Sequence, residues 1–360
     1  MRALSYHTDV LDQPGPLTVR AVFERAWHLH AANGMVVTIS TTPYDGPLGI
    51  RIAGMLPGDI QPGTTAHIRG TRLTVGPHVV DLSAAAPWNP LREPRPCLPL
   101  RPEVCEHTAP DPVVRARAEV LYDALVAADE AAIRAAVRGL IGLGPGLTPA
   151  GDDVLVGVLP SPPIQRVRAK ASLLGERSAL LSHVALSHAW ARGNSVVGSQ
   201  GGPRGDWGGP RGDWGGRSGD LQSPACSSIG VCFPPYSPPP LRVPRHVGKR
   251  DARDHHGAGA GDSKSPLRPF YDAGHMLVDI VVAEMAHRTT ALSRTLLLYA
   301  ARGVAVQPLL DVLWTGGEEA SVARLVAIGH TSGRDMLAGA ALAARLATGG
   351  TCGTAVVGST

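Results

Sequence analysis

The N-terminal part of the chain contains short runs of β-branched and other apolar residues, separated by Gly and Pro. The clearest runs are Met35–Ser40, Gly49–Ile52, Thr65–Ile68, Arg72–Val75 and His78–Leu82. Runs of this composition with turn residues between them are typical of β-strands. The pattern predicts a small antiparallel sheet or a barrel-like arrangement, and we assign residues 1–105 to a β-rich domain.

The period of the apolar positions changes near residue 110. Val114, Ala118 and Leu121 recur at the spacing of a helix face, and similar stripes return late in the chain. We therefore predict the first part of a helical domain over residues 110–159 and its second part over residues 277–348.

Residues 160–276 follow neither pattern. They open with Pro160 and contain a seven-residue repeat, 202–208 and 209–215, followed by closely spaced prolines. A segment without a periodic apolar face cannot offset the entropy of ordering its chain. We predict a low-complexity insertion or aberrant segment that is largely disordered. With a tail at 349–360, the predicted class is α+β: a small N-terminal β-rich domain, then an Ala/Leu-rich helical domain interrupted by a disordered stretch.

The composition of the chain argues against several classes of function. The formal charge is only +4, and much of the excess basicity lies within residues 160–276, so nucleic-acid binding is not indicated. The five cysteines are irregularly spaced, which favours free thiols over disulfides or a metal site. No apolar run reaches the length of a membrane span, and no secretion signal follows Met1. We expect a cytoplasmic protein without a membrane partner, and we assign no cofactor.

The strongest local motif is Gly142-Leu-Gly-Pro-Gly-Leu-Thr-Pro-Ala-Gly-Asp-Asp153. Gly144 and Gly146 permit a backbone path with positive φ, while Thr148 is expected to cap a helix that begins at Pro149. A glycine loop that leads into a helix N-terminus presents free N–H groups and suits an anion. The motif is neither a P-loop nor a dinucleotide fingerprint.

Asp152 and Asp153 leave two interpretations open. Carboxylates in the first turn stabilise a helix electrostatically, which needs no further function. Alternatively, one aspartate orients a substrate amide or ammonium group, acts as a base, or holds Mg²⁺ beside a phosphate.

A second glycine-aspartate motif lies at Gly329–Gly339. When Gly333 is aligned with Gly151, both segments have the pattern Gly-x-Asp-x-Leu-x-Gly, so that Asp335 corresponds to Asp153. We expect the helix starts at Thr148 and Ser332 to face each other. The last glycine of each motif, Gly157 and Gly339, would then allow close approach of the two backbones.

The second motif adds an imidazole and a guanidinium group, which can exchange protons and bind carboxylate or phosphate. A single histidine before a helix can equally be a packed residue or a cap. The candidate catalytic residues are Asp153, His330 and Asp335. The candidate substrate-binding residues are Gly144, Gly146, Thr148, Gly151, Asp152, Arg288, Thr331, Ser332, Gly333 and Arg334. No metal ligands are assigned.

At these motifs the sequence resembles a bacterial family of largely uncharacterised proteins that includes a subunit of oxamate carbamoyltransferase, from anaerobic allantoin breakdown. The resemblance rests on Gly144–Asp153, Arg288–Ser293 and Ile328–Gly333, with support from Val80–Ser83 and Trp88–Pro90. It extends over residues 1–159 and 280–348. In the family the aspartate-bearing helix continues into further apolar sequence, whereas this chain departs from that pattern at Pro160.

The resemblance implies a soluble subunit that works with other subunits of a hetero-oligomeric enzyme on a small anionic substrate. The implied reaction is carbamoyl transfer involving a small amide or ureido acid of the oxamate or oxalurate type. No catalytic residues carry over from the family. The alternatives are a non-catalytic assembly or small-ligand-binding subunit, and an inactive product of a disrupted gene.

Overall fold

The computed structural model describes residues 1–92, 95–101, 103–104, 108, 110–165 and 268–348. Strands occupy its N-terminal part and helices the remainder, which confirms the α+β class and the order of the two parts. Most of the stretch that we predict to be disordered, 166–267, lies outside the described residues, as does the tail at 349–360.

Nine strands form one mixed sheet within the described residues. They are β1 (Ala3–His7), β2 (Leu17–Val22), β3 (Ala26–His30), β4 (Val36–Ser40), β5 (Gly49–Ile52), β6 (Thr65–Arg69), β7 (Arg72–Val75), β8 (His78–Asp81) and β9 (Ala86–Trp88). Their order across the sheet is β8-β7-β6-β2-β3-β4-β5-β1-β9. The sheet curls into a half-barrel, because Asp81 at the end of β8 bridges Arg2 beside β1.

The predicted alternatives are a small antiparallel sheet and a barrel-like arrangement, and the observed half-barrel departs from antiparallel pairing at two places. Strand β4 pairs with β5 in parallel, and β1 pairs with β9 in parallel. The loop from β4 to β5 carries the chain back to the other end of the sheet before β5 begins. Such pairings depend on contacts between distant residues, which the local alternation of apolar positions does not encode.

Eight helices follow in the described part of the chain. They are α1 (Pro112–Ala127), α2 (Glu130–Leu140), α3 (Ala150–Val158), α4 (Arg268–Glu284), α5 (Ala291–Ala301), α6 (Gln307–Thr315), α7 (Glu319–Val326) and α8 (Ser332–Ala347). Every residue of α3 from Gly151 to Val158 is buried. A helix that is buried on all sides lies at the centre of its domain, so the first motif lies inside the helical core.

Both boundaries of the predicted insertion lie within folded structure. After α3 ends, the Ser161 hydroxyl donates to the Gly157 carbonyl at 2.9 Å, and Ile164 is fully buried in the helical core. On the other side, α4 begins at Arg268 rather than after residue 276. The helical domain therefore extends further toward the middle of the chain than the apolar spacing indicates.

Helix α5 connects the sheet with the helical core. The Val36 amide donates to the Thr295 hydroxyl at 3.0 Å, and the Tyr299 hydroxyl donates to Asp9 at 2.9 Å. Tyr299 is also part of the apolar core beneath the sheet. Among the described helices, none is both long and apolar enough to cross a membrane.

Candidate functional site

The two glycine-aspartate helix starts lie against each other. The hydroxyls of Thr148 and Ser332 are hydrogen-bonded across the gap, with 3.1 Å between their oxygens. This contact confirms the prediction that the starts of α3 and α8 lie side by side. Because the helices also touch several residues further on, they run in the same general direction.

Gly157 and Gly339 form the closest approach between α3 and α8. A Cβ built on Gly157 would overlap the Met336 carbonyl oxygen, and one built on Gly339 would overlap the Val154 carbonyl oxygen. Met336 and Val154 each lie three positions before the opposite glycine. The contact is therefore reciprocal, with approximate two-fold symmetry, and it confirms the predicted close approach of the backbones.

The symmetry extends to the preceding helices. A Cβ on Gly151 would overlap the Leu140 carbonyl oxygen at the end of α2, and one on Gly333 would overlap the Leu325 carbonyl oxygen near the end of α7. Both glycines are therefore required by close packing of the backbones. The two helix–loop–helix segments have the same local structure.

The two loops differ in length. Gly144 and Gly329 are matching positions with φ of 107° and 59°. From Gly144 to Gly151 the chain advances seven positions, and from Gly329 to Gly333 it advances four. The first loop thus has three extra residues (7 − 4 = 3), and these residues form the exposed part of the motif.

The predicted capping of the first helix is wrong. Pro149 rather than Thr148 is the N-cap of α3, and no side chain caps this helix. The Thr148 hydroxyl is engaged by Ser332 instead. Thr331, the N-cap of α8, likewise makes no side-chain capping bond. The hydroxyls of Thr148 and Ser332 thus form the contact between the two helices rather than capping their N-termini.

Several amide groups that we expected to be free are already paired. The Gly151 amide donates to the Leu143 carbonyl at 2.9 Å, and the Gly333 amide donates to the Ile328 carbonyl at 3.1 Å. Amide groups satisfied in this way are less available to a ligand. The helix starts therefore offer an anion fewer free amide donors than the sequence indicates.

Asp152 is fully buried and holds the glycine loop in place. One carboxylate oxygen accepts from the Gly142 amide at 2.9 Å, and the other accepts from the Thr289 hydroxyl. Burial raises the pKa of Asp152, and these hydrogen bonds oppose the increase. The adjacent Thr290 donates to the Leu147 carbonyl at 2.6 Å and caps α5. Asp152 and the two threonines thus tie the loop to α5.

Asp153 has a different environment. It is 1% exposed, and in the described part of the chain neither carboxylate oxygen has a hydrogen-bond partner of normal geometry. Burial raises the pKa of Asp153 to about 8, assisted by the charges of Asp335 and Asp152 and opposed by the hydroxyls of Ser332 and Thr148. The carboxyl group is therefore mostly protonated at neutral pH, and it can both donate and accept a hydrogen bond.

Asp335 is the symmetric counterpart of Asp153. It is also 1% exposed, and its Oδ2 has no hydrogen-bond partner among the described residues. Burial raises the pKa of Asp335, the Thr331 hydroxyl lowers it, and the nearby Asp111 carboxylate raises it further. Buried carboxyl groups with a raised pKa are common in sites that move protons.

The remaining predicted residues lie around this buried pair. His330, Thr331 and Arg334 are exposed at the start of α8, and Gly144 and Gly146 are exposed in the first loop, both with positive φ. These residues are exposed, whereas Asp153 and Asp335 are buried.

Arg288 occupies a separate position. Its side chain is half exposed and pairs with Glu284 at 3.7 Å. The same carboxylate also binds Arg134 and Arg138. The described contacts place the Arg288 side chain in this cluster of ion pairs rather than beside the aspartates. Only its backbone carbonyl approaches the motif, at Gly142.

Sequence reasoning did not identify Asp111 as a neighbour of the site. Its side chain caps α1, accepting from the Val113 amide at 2.8 Å, and its charge acts on Asp335. An aspartate before a helix is a common cap, so no local signal distinguishes it. Across the described ranges, no group of three or more His, Cys, Asp or Glu side chains is arranged to hold a metal ion.

The fold and site define an α+β protein whose helical core brings together two glycine-aspartate helix starts. A family model, described as oxamate carbamoyltransferase subunit AllH, matches residues 140–188 and 270–344. Both helix starts lie within the matched ranges, and the match confirms the family resemblance seen in the sequence. It also continues past Pro160, where we expected the resemblance to end. No curated protein and no solved structure gave a match.

Proposed function

We propose that this chain is a subunit of a carbamoyltransferase-like enzyme that acts on a small amide or ureido acid of the oxamate or oxalurate type. The observation that carries the proposal is the buried pair Asp153 and Asp335 at the contact of the two helix starts. Both residues lie in the ranges that match the oxamate carbamoyltransferase subunit family. The same proposal assigns the protein to the cytoplasm and to a complex with other subunits.

The protonation of Asp153 fits an amide substrate. A neutral carboxyl group offers one donor and one acceptor side by side, and a primary amide offers the complementary pair. Because both carboxyl groups are buried, a substrate reaches them only when neighbouring groups move. Arg334 and His330 are exposed near the start of α8, where they could contact the second substrate, carbamoyl phosphate.

The reaction requires proton movement at the site. In carbamoyl transfer the amide nitrogen bonds to the carbonyl carbon of carbamoyl phosphate, the bond from that carbon to the phosphate oxygen breaks, and the nitrogen loses a proton. We assign the acceptance of this proton to the ionised form of the Asp153–Asp335 pair. His330 lies on the exposed side, where it can pass the proton to solvent.

Two substitutions at Asp153 separate binding from proton transfer. Asp153→Asn keeps one donor and one acceptor, so oxamate affinity measured by calorimetry should change less than about threefold, while carbamoyl transfer in the assembled enzyme should fall by about 100-fold or more. Asp153→Leu should abolish both. Asp123→Asn, an exposed change on α1, serves as the control. Normal transfer by the leucine variant, with its fold verified by circular dichroism, would reject the proposed role.

A non-catalytic assembly or ligand-binding subunit is the second candidate. It is favoured by the complete burial of Asp152 and by its hydrogen bonds to protein groups on both oxygens, which is the environment of a structural residue. Reconstitution with partner subunits distinguishes the two candidates. A non-catalytic subunit predicts full transfer activity with Asp153→Leu, whereas the catalytic proposal predicts none. The third alternative, a disrupted gene, concerns residues outside the described ranges.

A further inference from the structure

A groove separates the sheet from the helical core on the side of α6 and α7. Its volume is about 480 Å³, which is within the usual range for small-molecule sites. The sheet side contributes Arg25, Thr42 and Tyr44, and the helical side contributes Gln307, Asp311 and Arg324. Small-molecule sites commonly lie where two parts of a fold meet.

The groove carries a net positive charge. Its ionised side chains are Arg25, Arg324 and Asp311. Arg324 makes a 3.4 Å ion pair with Asp311 while remaining 56% exposed. Arg25 is exposed, and no carboxylate in the described part of the chain lies within ion-pair distance of it. The Arg25 guanidinium is therefore available to a ligand, whereas one nitrogen of Arg324 is shared with Asp311 and with the Ser321 hydroxyl, to which it donates at 3.1 Å.

Neutral donors accompany the two arginines. The Gln307 side-chain oxygen accepts from the Asp45 amide at 3.3 Å, and this contact fixes the orientation of the amide group. Its Nε2 has no acceptor among the described residues, so its donors remain available to a ligand. Burial raises the pKa of Tyr44, against the effect of the nearby Arg25 charge, so the phenol keeps its proton. Guanidinium groups with neutral donors are suited to an oxyanion.

The groove also leads to the paired helix starts. Gly329 forms part of its lining, and a Cβ built on Gly329 would lie 3.4 Å from the Ser332 hydroxyl. That hydroxyl bonds Thr148 and acts on the pKa of Asp153. One end of the groove, at Gly329, therefore lies next to the hydroxyl contact between the two helix starts.

We propose that this groove binds a small oxyanion, a carboxylate or a phosphate group, through Arg25 and Arg324, with the uncharged end of the ligand directed toward Gly329. The oxyanion site depends only on the groove. Its assignment to the substrate of the Asp153 site rests on the function proposed above. Neither arginine is among the residues that the sequence motifs indicate.

Calorimetry on the full chain with oxamate, inorganic phosphate and carbamoyl phosphate tests this proposal. Arg25→Gln and Arg324→Gln should each weaken binding of the cognate anion by about tenfold or more, as expected for loss of one charge-assisted contact. Arg115→Gln, an exposed change on α1, should have no effect. Loss confined to oxamate identifies a carboxylate site, and loss confined to the two phosphate compounds identifies a phosphate site.

Asp311→Asn should strengthen anion binding, whereas the two arginine variants should weaken it. It removes the carboxylate that competes for Arg324, so anion affinity should rise by about two- to fivefold. The proposal is overturned if the wild-type protein binds none of the three anions at millimolar concentration, or if both arginine variants bind all of them normally. If an Asp153→Leu protein has lost transfer activity but still binds the anion, the result supports an oxyanion site in the groove that does not depend on Asp153. Intact anion binding together with normal transfer in that variant contradicts only the proposed function.

Discussion

The two glycine-aspartate segments share a backbone arrangement but carry opposite charges at the position after the first glycine. Gly151-Asp152-Asp153 corresponds to Gly333-Arg334-Asp335, so the middle residue is an aspartate in one segment and an arginine in the other. Asp152 is fully buried and bonded to the loop and to Thr289, whereas Arg334 is exposed. The first segment is anchored against α5, and the second is open to solvent. Symmetry of the backbone therefore does not imply equivalence of the two sides.

The largest loss of stability is expected at Gly157 and Gly339, where the two segments are most alike. Gly157→Ala and Gly339→Ala each place a methyl group on a carbonyl oxygen of the opposite helix, and each should lower the free energy of unfolding by about 3 kcal/mol. Urea denaturation measures this change. A large difference between the two variants would show that the contact is not reciprocal.

Gly139→Ala is the matched control for these variants. Gly139 lies within α2, and a Cβ there would meet only the flexible Arg117 side chain, at 3.5 Å. Alanine has the higher helix propensity, so this change should be neutral or should stabilise the protein by up to about 1 kcal/mol.

A smaller loss of stability is expected at Asp152 and Arg334, where the two segments differ. Asp152→Ala leaves the Gly142 amide and the Thr289 hydroxyl without their acceptor, and it should lower the free energy of unfolding by about 2 kcal/mol. Arg334→Ala should change it by less than about 0.5 kcal/mol. Equal losses in thermal denaturation at matched pH would contradict the distinction between an anchored and an open segment.

The third prediction concerns pH. Because burial raises the pKa of Asp153 to about 8, the folded protein binds more protons here than the unfolded chain between about pH 4 and pH 8. The stability contributed by this group is complete below the unfolded pKa and declines, by roughly 1 kcal/mol per pH unit, as the pH rises to the folded value.

Asp153→Asn imitates the protonated form and should remove this slope. The difference in unfolding free energy between the variant and the wild type, measured from pH 5 to pH 8, should grow in favour of the variant. The same difference for Asp123→Asn should stay constant. A flat wild-type profile would mean that Asp153 ionises without hindrance in the folded protein.

The parts of the fold that local sequence encodes were predictable. Helical spacing indicated α1, α2 and the late helices, and alignment of Gly151 with Gly333 led to the paired helix starts. Strand β1 was missed because Ala3–His7 contains no β-branched residue and because its buried face carries the polar Ser5 and His7 beside Ala3. Local composition therefore identified some strands and missed others.

The remaining features depend on distant contacts. The Thr148 hydroxyl bonds Ser332 rather than its own helix, and its partner lies 184 positions away. The groove joins Arg25, near the start of the chain, to Arg324, near its end. No sequence window contains both arginines, so a local pattern could not reveal their association.

Helices α3 and α8 lie in two described ranges, 110–165 and 268–348, and they contact each other across a large separation in sequence. The entropy of bringing two parts of a chain together grows only with the logarithm of their separation in sequence, so doubling that separation costs about 0.6 kcal/mol. Disrupting the packing at Gly157 or Gly339 is expected to change the free energy of unfolding by more than this, about 3 kcal/mol. Shortening or lengthening this separation should therefore alter the rate at which the two helices meet more than the stability of their contact.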